Sequence, residues 1–353
     1  MTLATQKITL WQELSALKYL LSLVPAGLAI AGNLSGGYFS LLNVIFPLVI
    51  LVGLDWLVPV NHKSVENLPD RIPNLILYLS VVFHTVAVFS LIYGIYAGIL
   101  QNAWVWYAAL GTGFSSGILG ITAAHELIHR KQKHFQWLGI WNLFLSNYTH
   151  FYIEHRLGHH FKVATQDDPA SARYGESFYR FIFRGVPAQW LGGLTLEANR
   201  LRKAGKMPFT LNNFVLTASL LQLIFMVSLY FLLGSEAMWA YLMQTVIGFL
   251  LLEYVNYIEH YGLIRDKGEK VEAHHAWQSD TISSRFTLLE LSRHSDHHLK
   301  AFKPYHTLDS HEESPVMPSG YFGMFYIGLI PPLWFAVVHP ILDKFRKEEV
   351  DSQ

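Results

Sequence analysis

Six stretches of the chain are apolar over most of their length: 14–31, 38–60, 75–100, 103–124, 214–234 and 238–258. Each reaches or approaches the roughly 20 residues that a helix needs to cross the hydrocarbon core, so the pattern predicts six transmembrane helices. A seventh stretch, 320–338, carries Pro331 and Pro332 in its middle and reads either as a span or as a kinked segment lying at the surface. Polar positions dominate in 130–211 and 265–353. These blocks are expected to form a helical cap on a single domain covering 1–353. The expected fold is all-α and integral to the membrane.

The charges orient it. Apart from Lys7, Lys18, Lys63 and Arg71, the 22 remaining Lys and Arg lie in 130–206 or 265–347, whereas 33–37, 101–102 and 235–236 contain none. Under the positive-inside rule this places the cap and both termini in the cytoplasm. Only 15% of residues are charged, and basic and acidic residues balance at 26 each, so nothing favours nucleic acid as a partner. The chain has no cysteine and 18 histidines. Thiol catalysis, iron–sulfur clusters and cysteine-type zinc sites are thereby excluded, and a metal would have to be held by imidazole and carboxylate.

Nine of the histidines cluster at or beyond the ends of predicted spans: His125 and His129; His155, His159 and His160; His260; and His294, His297 and His298. Residues three or four apart share a helix face. His125 with His129, His155 with His159, and His294 with His297 or His298 can therefore converge on one ion. Adjacent residues diverge by roughly 100°, which turns one member of His159–His160 and of His297–His298 towards a second ion. Nine candidate ligands are too many for one metal, and two is the economical reading. Glu126, Glu154 and Glu259 adjoin ligand candidates and Asp296 lies inside the last cluster. Such carboxylates can accept the second ring N–H of a ligand and fix its tautomer. Glu253 lies inside the sixth span at helical spacing from His260 and is a further supporting candidate; Asp55 and His84 are weaker cases. His134, His150, His274, His275, His306 and His311 read as surface histidines in loops. Above His125, the helix face carrying Gly117, Ile118 and Ile121 is expected to line an apolar cavity, and Gly113–Gly117 fits a small-residue packing face. Trp56 reads equally as a stop at the cavity end or as an interfacial anchor.

These residues resemble the integral-membrane, non-haem di-iron alkane 1-monooxygenases, within the wider membrane desaturase–hydroxylase group. The resemblance runs through His125-Glu126-Leu127-Ile128-His129-Arg130, Glu154-His155-Arg156-Leu157-Gly158-His159-His160, Asp168-Pro169-Ala170-Ser171-Ala172-Arg173, Asn256-Tyr257-Ile258-Glu259-His260-Tyr261-Gly262 and Arg293-His294-Ser295-Asp296-His297-His298. Ser292, Gln166 and Ala276-Trp277-Gln278-Ser279 depart from the usual family residues without removing a candidate ligand. The resemblance implies two irons, O2 activation and hydroxylation of a terminal C–H, with Asp168 among the supporting carboxylates. It also implies a bacterial inner membrane, and electrons from rubredoxin reduced by an NADH-dependent reductase. A chain without cysteine cannot contain a rubredoxin of its own, so that partner is expected to be a separate protein. The in-family rival is methyl hydroxylation of alkyl-aromatics. From other classes, a zinc protease would use only His125, Glu126 and His129, and a metal transporter would place ligands along a midplane path.

Overall fold

The computed structural model describes residues 14–63 and 68–352; Lys7, counted in the charge pattern, lies outside them. The described residues are helical with irregular connections, and only isolated bridges such as Val60–Thr281 pair extended backbone. The apolar runs form α1 (Ser15–Ser35), α2 (Gly37–Leu57), α3 (Arg71–Tyr96), α4 (103–129), and, later, α8 (Phe214–Leu233) and α9 (Ser235–His260). Five of these, α4 excepted, are long and apolar enough to cross a membrane. Gly, Ser and Thr dilute the apolar character of α4, a sequence that suits close packing better than lipid contact. A Cβ at Gly113 or Gly117 would strike Ile247 or Leu251 of α9, so the small-residue face packs as expected.

The polar blocks form α5 (Lys133–Leu145), α6 (151–162), α7 (Phe178–Lys203), α10 (Ile282–Thr287) and α11 (His294–Leu299). α5, expected in the cap, runs back along the bundle instead: Asn142 donates to the Gly120 carbonyl of α4 at 3.0 Å, and the Leu145 carbonyl accepts from Gln244 of α9 at 3.0 Å. The seventh apolar stretch is not one span. It divides into α12 (Phe325–Leu329) and α13 (Pro331–Ser352), because prolines lacking an N–H begin a helix well and continue one badly.

Among the described residues, three π-helical turns interrupt the helices: Phe46–Leu51 in α2, Ser116–Ile121 in α4 and His155–His159 in α6. Such bulges are rare and gather at functional sites. Here each contributes residues to the wall of one cavity.

Asp55, at the end of α2, ties that helix to α10 and to the segment before α12. Its carboxylate accepts from the Ser283 and Ser284 hydroxyls, the latter at 2.7 Å, and from the Gly323 N–H at 2.9 Å. A Cβ on Gly320 would land on that carboxylate. Replacing Asp55 with alanine would strand buried donors, each costing about 1–3 kcal/mol. Asp55→Ala should therefore lower the thermal midpoint of the detergent-solubilised protein well beyond the effect of Trp56→Phe.

Candidate metal centre

All nine clustered histidines meet at one end of the bundle, in two groups. Ring nitrogens of His125, His129, His155, His160 and His297 lie within 4.8 Å of one another, as do those of His159, His260, His294 and His298. α4 supplies His125 and His129, α6 the next three, α9 its last residue, and α11 the final three.

The π turn in α6 decides how its histidines are shared. An i→i+5 turn brings His155 alongside His160 rather than His159, and their Nε2 atoms stand 3.1 Å apart. The expected pairing of His155 with His159 on one ion is therefore replaced by a split between the groups. α11 keeps α-helical spacing, so His294 and His298 join one group while His297 turns to the other.

The donor set fits metal ions. His160 Nε2 lies 3.2, 3.1 and 3.1 Å from the Nε2 atoms of His129, His155 and His297. In the other group, His294 Nε2 lies 3.2 Å from His260 Nε2 and 2.9 Å from His298 Nε2. A neutral imidazole carries one N–H, so a hydrogen bond can serve only one such contact at each nitrogen. Metal–imidazole bonds of about 2.0–2.1 Å place neighbouring ligands about 3 Å apart, the spacing found here. Burial, reinforced by adjacent imidazoles, pushes His155, His160, His294, His297 and His298 well below the ordinary histidine pKa. They are neutral at pH 7, the state that binds a metal.

The carboxylates divide by partner. Asp168 Oδ2 lies 2.8 Å from His159 Nδ1 and accepts from the Ser171 hydroxyl at 2.6 Å. Burial alone would raise its pKa, but His159 and these bonds outweigh it and hold the carboxyl below its ordinary value. Glu259 Oε2 sits 3.2 Å from His294 Nε2, the nitrogen that faces the group; it adjoins the metal position instead of supporting a ligand from behind. Glu126 pairs with Arg130 at 2.6 Å, and Asp296 meets His311, Lys303 and the Asp309 N–H. Glu154 lies against Gly158 and Gly192. Glu253 is bound by Tyr148 at 2.7 Å and Gln189 at 2.8 Å, tying α9 to α7. For Glu126 and Asp296 the reason is helical: a residue adjacent to a ligand points away from it.

Several histidines read as surface residues are buried: His150, His275 and His306. His275 Nδ1 accepts the Glu272 N–H at 3.0 Å, closing a local turn.

Above the metal position lies a narrow apolar cavity. Gly117, Ile118 and Ile121 line it, with Phe114 at the far end of the same helix face and His125, His155, His294 and Glu259 at the near end. Trp56 is absent from its wall. That side chain is half exposed and its indole N–H donates to the Gly323 carbonyl at 3.1 Å, an anchoring position. Leu48, Tyr321 and Phe322 also line the cavity; they come from a π turn and from the segment before α12, where sequence periodicity carries no signal.

Residues 100–328 match the family model described as fatty acid desaturase. The chain is 37% identical to alkane 1-monooxygenase 1 of Pseudomonas aeruginosa over 86% of its own length and 82% of that protein's. It is 33% identical to alkane 1-monooxygenase 2 of Alcanivorax borkumensis, covering 89% and 84% of the two chains. To the xylene/toluene monooxygenase hydroxylase component of Pseudomonas putida it is 28% identical, covering 92% and 88%. The protein is thus an oxidoreductase of the fatty acid desaturase family, and it belongs among the alkane 1-monooxygenases.

Proposed function

We propose that this protein hydroxylates the terminal carbon of alkanes, converting alkane and O2 to a 1-alkanol at two irons. His125, His129, His155, His160 and His297 would hold one, and His159, His260, His294 and His298 the other. The observation that carries the reading is an apolar cavity that ends on His125, His155 and His294. When bound, the iron pair supplies O2 activation and the redox change. The protein's own part is to position, exclude water and manage protons. Along α4, eleven residues separate His125 from Phe114, which gives a slot roughly 16 Å deep. A chain lying in it presents an end, not a flank, to the metal side. Ile118, Ile121 and Leu291 keep that end dry. Asp168 holds the proton of His159 on Nδ1, leaving Nε2 free to ligate. Glu259 Oε2 stands where a proton can be held beside the reacting carbon.

Six membrane spans, with α4 as the one of lower hydropathy, and a cytoplasmic cap complete the proposal. α6, α7, α10 and α11 would form that cap, and both termini would be cytoplasmic. The membrane would be a bacterial inner membrane, and electrons would come from a separate rubredoxin with its NADH-dependent reductase. The test is metal and product analysis. Purified protein should contain about two irons per chain, and with rubredoxin, its reductase and NADH it should turn graded alkanes into 1-alkanols, read by gas chromatography. Preferential oxidation of an alkylbenzene methyl group would favour the activity named for the xylene/toluene relative.

The closed end of the slot sets a length limit. Replacing Phe114 with alanine should extend the range of alkanes upward. For a chain just too long for the native slot, turnover should rise about tenfold, equivalent to ~1.4 kcal/mol of barrier. An unchanged product profile across the length series would remove Phe114 from the limit.

A further inference from the structure

Most residues of the cavity wall are buried. Of its lining residues, only Leu48, Leu251, Val255, Phe322 and Phe325 are half-buried. They come from three separate elements, α2, α9 and the stretch from Phe322 into α12, and make up an apolar, partly exposed patch. Such a patch is suited to lipid contact. Leu48 sits on the π turn of α2, beside Ile45, Val49 and Ile50, which are exposed. It lies nine residues before the end of its span, roughly 14 Å into the bilayer. Across the patch, the half-exposed Tyr326 of α12 donates its hydroxyl to the Leu48 carbonyl at 2.9 Å.

From this geometry we infer that hydrocarbon reaches the cavity sideways from the bilayer, through an opening bounded by α2, α9 and α12 whose α2–α12 side the Tyr326–Leu48 hydrogen bond latches. This rests on the alkane reading for its ligand, a linear apolar chain. Such a chain partitions into the membrane core and meets the mouth at its own depth. No polar barrier stands in the way, because the five side chains at the mouth are apolar. α12 is five residues long and its Leu329 carbonyl accepts from the Tyr179 hydroxyl at 2.9 Å, so breaking the Tyr326–Leu48 bond frees the Phe325–Tyr326 end while the other end stays anchored.

The absence of cysteine gives a clean background for the test. Leu48→Cys and Val49→Cys proteins in lipid vesicles would each be labelled to completion with a bulky maleimide. A diazirine-bearing linear alkane would then be photoactivated and its adducts mapped by mass spectrometry. Adducts at Ile118 or Phe114 should fall at least tenfold when position 48 carries the label, and stay unchanged when position 49 does. Alkane turnover should follow the same pattern. Equal adduct yields with and without the label at 48 would overturn the entrance, as would equal losses at both positions. Because the adduct readout needs no turnover, loss of the oxygenase reading alone would leave this test intact. Tyr326→Phe should raise kcat/KM about threefold through KM, with faster adduct formation; unchanged values would overturn the latch.

Discussion

Replacing His260 with alanine should lower bound iron from about two per chain towards one and reduce alkane turnover by more than about 100-fold. That exceeds the 10–100-fold usual for changes behind the ligands. His260 is fully buried at the last residue of α9. It belongs to the group of four, so its loss leaves three imidazoles. His160 belongs to the group of five, and His160→Ala leaves four. The two variants should therefore differ in what they keep. His160→Ala should retain more metal than His260→Ala although both lose turnover. Iron content measured beside the thermal midpoint separates metal loss from misfolding. If His260→Ala binds both irons and turns over normally, the grouping of ligands is wrong.

The parts of the fold and site legible in sequence were those governed by simple periods. α1, α2, α3, α8 and α9 announce themselves because lipid accepts any apolar side chain, so the run length alone carries the signal. α4 was legible by its own apolar run, and its small residues at Gly113 and Gly117 read as the packing face that meets α9. The gathering of histidines was readable because spacing of three and four has one meaning on an α-helix. The pairing of His155 was not, since no local propensity marks a π turn. The carboxylates show the same boundary. Adjacency in sequence pointed to Glu126 and Asp296, whose side chains turn to Arg130 and Lys303 instead. Asp168, nine residues from His159, became visible only through the family resemblance. Burial of His150 and His306 depended on tertiary packing, which a lone histidine in a polar segment does not encode.

Changing Asp168 to asparagine should cost 10–100-fold in metal affinity or turnover, although the two side chains have nearly the same shape. Asp168 accepts on both oxygens: Oδ2 serves His159 Nδ1 and the Ser171 hydroxyl, and Oδ1 accepts the Ala170 N–H at 3.2 Å. An amide has one acceptor oxygen and one donor nitrogen. With its oxygen towards His159, the amide nitrogen confronts the Ala170 N–H, donor against donor. With its nitrogen towards His159, it donates to Nδ1 and drives the imidazole proton onto Nε2, the atom needed for the metal. Either arrangement weakens the group of four while leaving the group of five untouched. Iron should therefore be lost from one position before the other, giving a biphasic release when a chelator is titrated in. Single-phase release at the native rate, with native turnover, would show that His159 needs no carboxylate to hold its proton.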